Sequence, residues 1–138
     1  MSSAENVATE YTPLVIEHFT NPRNPGSLPD ATGTGQSGDG SNGEILIQIA
    51  LRAGGGADGV IEEARFRAFG CSASIASASV VTELLQGRTL GAALTLGADE
   101  VEAALGGLPA SRKHCAEHAV RAARAAAADS LSGCANDA

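Results

Sequence analysis

The chain has 138 residues, enough for one domain with its own hydrophobic core and no need of disulfide staples. Asp and Glu outnumber Lys and Arg by 16 to 9, a formal net charge of -7, which argues against nucleic-acid phosphates and anionic lipid as partners. Hydrophobic residues make up 43% but aromatics only 3%, and Trp is absent, so a tightly packed core of Ala, Leu, Val and Ile is expected.

No apolar run approaches the roughly 20 residues that span a bilayer. The polar start of the chain lacks the basic-then-apolar order of a secretory signal. A cytoplasmic protein without membrane contact is the expectation. In that reducing compartment the three cysteines, Cys71, Cys115 and Cys134, read as free thiols, redox groups or metal ligands and not as a disulfide framework.

Residues 11–20 carry Leu14, Val15, His18 and Phe19 at helical spacing and run into Asn21-Pro22-Arg23-Asn24-Pro25-Gly26, where two prolines forbid continuation. A short helix ending near Thr20 is predicted. Residues 26–43 are rich in Gly, Ser, Asp and Pro and read mostly as loop, with only a weak strand signal over 32–37. Residues 44–51 place Ile45, Ile47, Ile49 and Leu51 on one pleat face, and residues 60–69 set Ala64, Phe66 and Ala68 opposite Glu63, Arg65 and Arg67. The glycine-rich stretch 53–59 between these two strands suits a hairpin, so they are expected to be antiparallel neighbours.

Beyond Gly70 the pattern turns helical. Residues 72–86 show Ile75, Ala78, Val81 and Leu85 along one stripe, stopped by Gly87. Short helices are expected over 90–94 and 99–105, closed by Gly106-Gly107 and Pro109. An Ala-rich last helix is expected to start at an N-cap on Ser111 and end about Leu131. Strands first and helices afterwards give an α+β class, a small antiparallel sheet covered on one face by helices. The whole chain, 1–138, reads as one domain, with 1–10 and 132–138 expected to be flexible.

Cys71 follows a strand and Gly70 and immediately precedes a helix, whose unpaired N–H groups stabilise a thiolate. Cys115 sits in the first turn of the last predicted helix, after Arg112, Lys113 and His114, so the same forces favour its ionisation. Thiolates and imidazole together suit zinc or iron, and Cys71, His114 and Cys115 would make three ligands of a tetrahedral site that needs a fourth. The same residues also read as a buried small hydrophobe at a strand end and a solvated histidine at a helix start, and they leave both readings open. No CxxC motif exists to support a thioredoxin-like reading. The glycine cluster between Gly33 and Gly43 lacks the Gly-Lys-Ser/Thr ending of a phosphate cradle and precedes a strand. His18 and His118 lie on predicted helices and read as surface or core residues, and Cys134 as a bystander.

Three ordered stretches nevertheless carry a resemblance. They are Glu17-His18-Phe19-Thr20-Asn21-Pro22-Arg23-Asn24 with Gly26-Ser27, then Phe69-Gly70-Cys71-Ser72-Ala73-Ser74-Ile75-Ala76-Ser77-Ala78-Ser79, and then Leu105-Gly106-Gly107-Leu108-Pro109 with His114-Cys115. Together they make the chain, from Tyr11 to about Leu131, resemble the iron–sulfur cluster assembly scaffolds of the NifU/IscU type, with the Leu-Gly-Gly-Leu-Pro wording nearest to the N-terminal domain of NifU.

The resemblance implies a three-stranded antiparallel sheet with packed helices and a protein that is not an enzyme. It implies sulfur received from a cysteine desulfurase, a 2Fe–2S cluster assembled, and delivery to recipient apoproteins. Family sites use three cysteines, an aspartate two residues after the first, and a histidine beside the third. Cys71 matches the second cysteine, and His114-Cys115 the final pair. The first is missing: the family's Cys-Gly-Asp falls on Asn42-Gly43-Glu44, and a one-residue shift brings Ser41 instead. The implied ligand set for a cluster or iron is therefore Cys71, Cys115, His114 and Glu44, with Asp39 a poorer substitute and zinc an option without iron. The usual Leu-Pro-Pro-Val-Lys chaperone stretch reads Leu108-Pro109-Ala110-Ser111-Arg112, which weakens the expectation of a dedicated chaperone. Two other readings follow from the missing thiolate: a regulatory module that docks to the desulfurase without binding a cluster, and a structural zinc domain.

Overall fold

Alternating apolar residues along two of the strands build the centre of the molecule. The structure is a computed structural model that describes residues 11–38 and 45–137, with side chains as far as residue 132. Strands β1 (Gly33–Ser37), β2 (Leu46–Ala53) and β3 (Ile61–Phe69) form one antiparallel sheet in the order β1-β2-β3. Gly35 faces Ile49 across the first pair and Ile49 faces Phe66 across the second, with an irregularity between Arg52 and Ala53. Ile47, Ile49, Leu51, Ala64 and Phe66 point to one side and are buried there. The expected hairpin and antiparallel pairing are present.

The weak strand signal over 32–37 in the glycine-rich region is a true edge strand, β1. Its glycines serve packing: a Cβ on Gly33 would fall 2.2 Å from the Ala126 carbonyl oxygen, and one on Gly35 2.2 Å from that of Ala122. The last helix, α5 (Lys113–Asp137), therefore lies directly on β1. Thr32 Oγ1 meets Ser130 Oγ at 2.9 Å, and the Thr34 N–H donates to Asp129 at 2.9 Å, which fixes the pairing lengthwise.

The first helix, α1 (Pro13–Thr20), begins with Thr12 as N-cap, whose Oγ1 accepts from the Val15 N–H at 3.2 Å and donates to the Leu105 carbonyl. Pro13 at the first position supplies a fixed φ at no hydrogen-bond cost. After the helix, Asn24 and Gly26 exchange backbone hydrogen bonds with Phe66, so this segment covers part of the β3 edge.

Helix α2 (Ser72–Leu85) is not the one-stripe helix that its sequence suggests. Ser74, Ser77, Ser79 and Thr82 are buried along with Ala73, Ala76, Ala78, Val80, Val81 and Leu85, because α1, the sheet and α5 all pack against it. Its small side chains permit that enclosure. Helices α3 (Leu90–Ala93) and α4 (Ala98–Ala104) follow, and Gly106 and Gly107 both take positive φ. Ser111 is not an N-cap: it lies in a 3-10 turn over Ala110–Arg112 that leads into α5. Helix α5 runs past the expected end near Leu131 to Asp137. No helix among the described residues is long and apolar enough to cross a membrane.

Candidate functional site

At one end of the sheet, the exit of β3 and the starts of α2 and α5 meet. Cys71 leaves β3 through Gly70, whose φ is +146°. A Cβ at Gly70 would stand 2.8 Å from Ser74 Oγ and 3.2 Å from Ile45 Cγ1, so this direct strand-to-helix turn requires glycine. The Cys71 carbonyl accepts from the Ser74 and Ile75 N–H groups, which makes Cys71 the first capping residue of α2. Cys115 lies in the first turn of α5 and is fully buried, while Cys71 is half-buried.

The two sulfurs, 44 residues apart in sequence, are 3.6 Å apart in space. Ser74 Oγ lies 3.5 Å from each of them. His114 Nε2 is 3.9 Å from the Cys115 sulfur. A tetrahedral ion held by two thiolates at the usual bond length keeps their sulfurs about 3.8 Å apart and an imidazole nitrogen about 3.5 Å from either. The sulfur pair is thus already at ligand spacing. Among the described residues no three His, Cys, Asp or Glu side chains yet close around one point. The His114 ring is exposed.

The pair shares its protons unequally. A hydrogen bond from the Cys115 thiol holds Cys71 well below the usual thiol range, with Ser74 Oγ and the Ser74 and Ala73 N–H groups adding to it against the cost of burial. Cys115 moves the other way, pushed up by its hydrogen bond to Cys71 and by burial. The expectation of two activated thiols is corrected to one: the start of α5 does not offset the neighbouring thiolate. Of the two expected cations, Arg112 has its Nε 3.3 Å from the Tyr11 hydroxyl and its charge is felt by both cysteines. Lys113 turns away to Glu102, at 3.0 Å.

Cys71, Cys115 and His114 are therefore brought together. Glu44, Asp39, Ser41 and Asn42 lie outside the described residues, as does the side chain of Cys134. Ser74 and Tyr11 join the site without having been singled out as part of it. Ser74 was legible as the residue one helical turn after Cys71; nothing near Tyr11 signalled its role. His18 is far from solvent between α1 and α2, its Nδ1 2.8 Å from Ser79 Oγ and its Nε2 3.4 Å from Glu83.

Comparison with known proteins points to one family. Residues 10–133 match the family model described as NifU-like N terminal domain. The chain is 41% identical over 120 residues to the iron-sulfur cluster assembly scaffold protein IscU 1 of Archaeoglobus fulgidus, spanning 86% of this chain and 75% of that protein. It is 40% identical over 121 residues to the scaffold protein IscU of Azotobacter vinelandii, spanning 82% of this chain and 90% of that one. Among solved structures, a nitrogen-fixing NifU-like protein (N-terminal) from Brucella abortus superposes with a TM-score of 0.61 at 18% identity, over 96% of this chain and 99% of that one. The putative scaffold protein for the SUF system of Fervidobacterium islandicum gives 0.57 at 16% identity, over 86% and 97%. The chain belongs to the NifU-like N-terminal domain family, the iron–sulfur cluster assembly scaffolds of the NifU/IscU type.

Proposed function

We propose that the protein is a cytoplasmic, non-enzymatic scaffold or carrier on which a 2Fe–2S cluster is assembled from iron and desulfurase-derived sulfur, then passed to recipient apoproteins. Cys71, Cys115 and His114 hold the cargo, and Glu44, between β1 and β2 in the sequence, supplies an oxygen donor. The observation that supports this most is the 3.6 Å sulfur spacing with an imidazole at its edge. The scaffold titles of the IscU relatives point the same way.

The chemistry of each group suits the task. Cys71, kept as the thiolate, is the donor ready to take iron or accept sulfur; Cys115 gives up its proton only when a cation arrives. The Arg112 charge favours the Cys71 thiolate while the site is empty of cargo. A carboxylate in place of a third thiolate is a harder donor, so the cluster is expected to be labile and oxygen-sensitive.

Anaerobic incubation of the protein with ferrous iron and sulfide tests the proposal. Cluster absorption in the visible range is expected for the parent and is lost in Cys71→Ser and in Cys115→Ser. Absence of any such absorption from the parent would refute cluster assembly. The regulatory reading draws on Asn42 standing where the family has a cysteine. Desulfurase binding that is unchanged in a Cys71→Ala, Cys115→Ala double variant, without cluster formation by the parent, would select it.

A further inference from the structure

Ser74 lies in the first turn of α2 and is fully buried, with its hydroxyl oxygen 3.5 Å from the Cys71 sulfur and 3.5 Å from the Cys115 sulfur. A buried serine or threonine in a helix ordinarily turns its hydroxyl back to a carbonyl one turn earlier. Thr82 of the same helix does so, donating to the Ser79 carbonyl at 2.7 Å. Ser74 does not: among the described residues, the partners of its hydroxyl are the two sulfurs. Gly70 leaves the space for this, because a Cβ there would stand 2.8 Å from the same oxygen. In the empty site a sulfur that keeps its proton can donate to the hydroxyl oxygen. A sulfur that binds a metal does so as the thiolate and can only accept, so loading leaves the hydroxyl the single role of donor.

We propose that Ser74 is a positioning residue of the cargo site, whose hydroxyl donates a hydrogen bond to the metal-bound sulfurs of Cys71 and Cys115 and so tunes their bonds to the cargo. The inference rests on the reading of those two cysteines as ligands. A thiolate that accepts a hydrogen bond passes less electron density to its metal, so a bound cluster takes up an electron more readily.

Co²⁺, added at one equivalent to the full chain without oxygen, reads the sulfurs through their charge-transfer absorption in the near ultraviolet. Ser74→Ala is expected to move that band to longer wavelength, because a sulfur freed of the hydrogen bond gives up charge to the metal more easily. Ser74→Thr keeps the hydroxyl and is expected to hold the band at the parent position. The visible d–d bands, which report the donor set, are expected unchanged in all three. After anaerobic loading with iron and sulfide, the reduction potential of the Ser74→Ala cluster is expected to lie below that of the parent. Alanine is the better helix former, and melting of each protein checks that the fold is kept. A charge-transfer band that stays in place in Ser74→Ala would overturn the role of Ser74 while leaving the sulfur pair as ligands. Altered d–d bands in that variant would overturn it too, since the hydroxyl would then be a ligand itself. A parent without sulfur-to-cobalt absorption would remove both the sulfur pair and the role of Ser74.

Discussion

Ser77 is fully buried in α2, and its hydroxyl has no hydrogen-bond partner among the described residues. Desolvating a hydroxyl without replacing its water hydrogen bonds costs on the order of 1 kcal/mol or more, so Ser77→Ala is expected to stabilise the fold by about 1 kcal/mol, read from the urea midpoint. His18 behaves differently because its hydroxyl and carboxylate partners do not outweigh its burial. Desolvation holds its pKa below the usual 6.5, with Glu83 pulling partly back. The unfolded chain therefore binds the extra proton first, and the stability due to neutral His18 is fully present above pH 6.5 and is lost as pH falls below it. Urea unfolding from pH 7.5 down to 5 is expected to show a steeper decline in the parent than in His18→Gln. At the sulfur pair, the half-buried Cys71 is expected to alkylate with iodoacetamide well before the fully buried Cys115, as peptide mapping by mass spectrometry would read. The ligand types could be named from the sequence because Cys and His are chemically conspicuous. The unequal sharing of protons could not, because it depends on a 3.6 Å separation between distant parts of the chain.

The elements β1 and α5 show why local pattern gives out. A stretch of Gly, Thr, Gln and Ser carries no apolar alternation, and glycine is a weak strand former, so the signal for β1 was faint. Its reason lies across the molecule, in the Ala-rich face of α5, whose backbone approaches so closely that only glycine fits at 33 and 35. Gly35→Ala is expected to cost about 1–3 kcal/mol through overpacking, measured by denaturant unfolding; an unchanged midpoint would contradict the close contact. In β2 and β3 the alternation was plain: Ile47, Ile49, Leu51, Ala64 and Phe66 are buried as it named them, while Ala68 is half-buried and the buried Ile61 was not named. Helix α2 lay between these cases: its limits were legible, but its buried serines were not, since a polar residue reads as outward until a neighbouring helix encloses it.

For the whole molecule, the consequence of the proposed ligand set is one of lifetime. Restoring a thiolate with Asn42→Cys is expected to raise cluster yield and to prolong survival in air relative to the parent, followed as visible absorption after anaerobic loading. No gain would place the loop elsewhere than the family register puts it. The order of strands and helices, the class of the fold, and the cysteine and histidine that mark the site all follow from the sequence, because periodicity, turn residues and ligand chemistry act over a few neighbouring residues. Only the tertiary structure decided that Cys71 and Cys115 meet, that Lys113 pairs with Glu102 while the Arg112 charge is felt by both cysteines, and that Ser37 meets His118. Those relations are distances between separate elements, and they are set by how closely glycine, alanine and serine let the helices and the sheet approach one another.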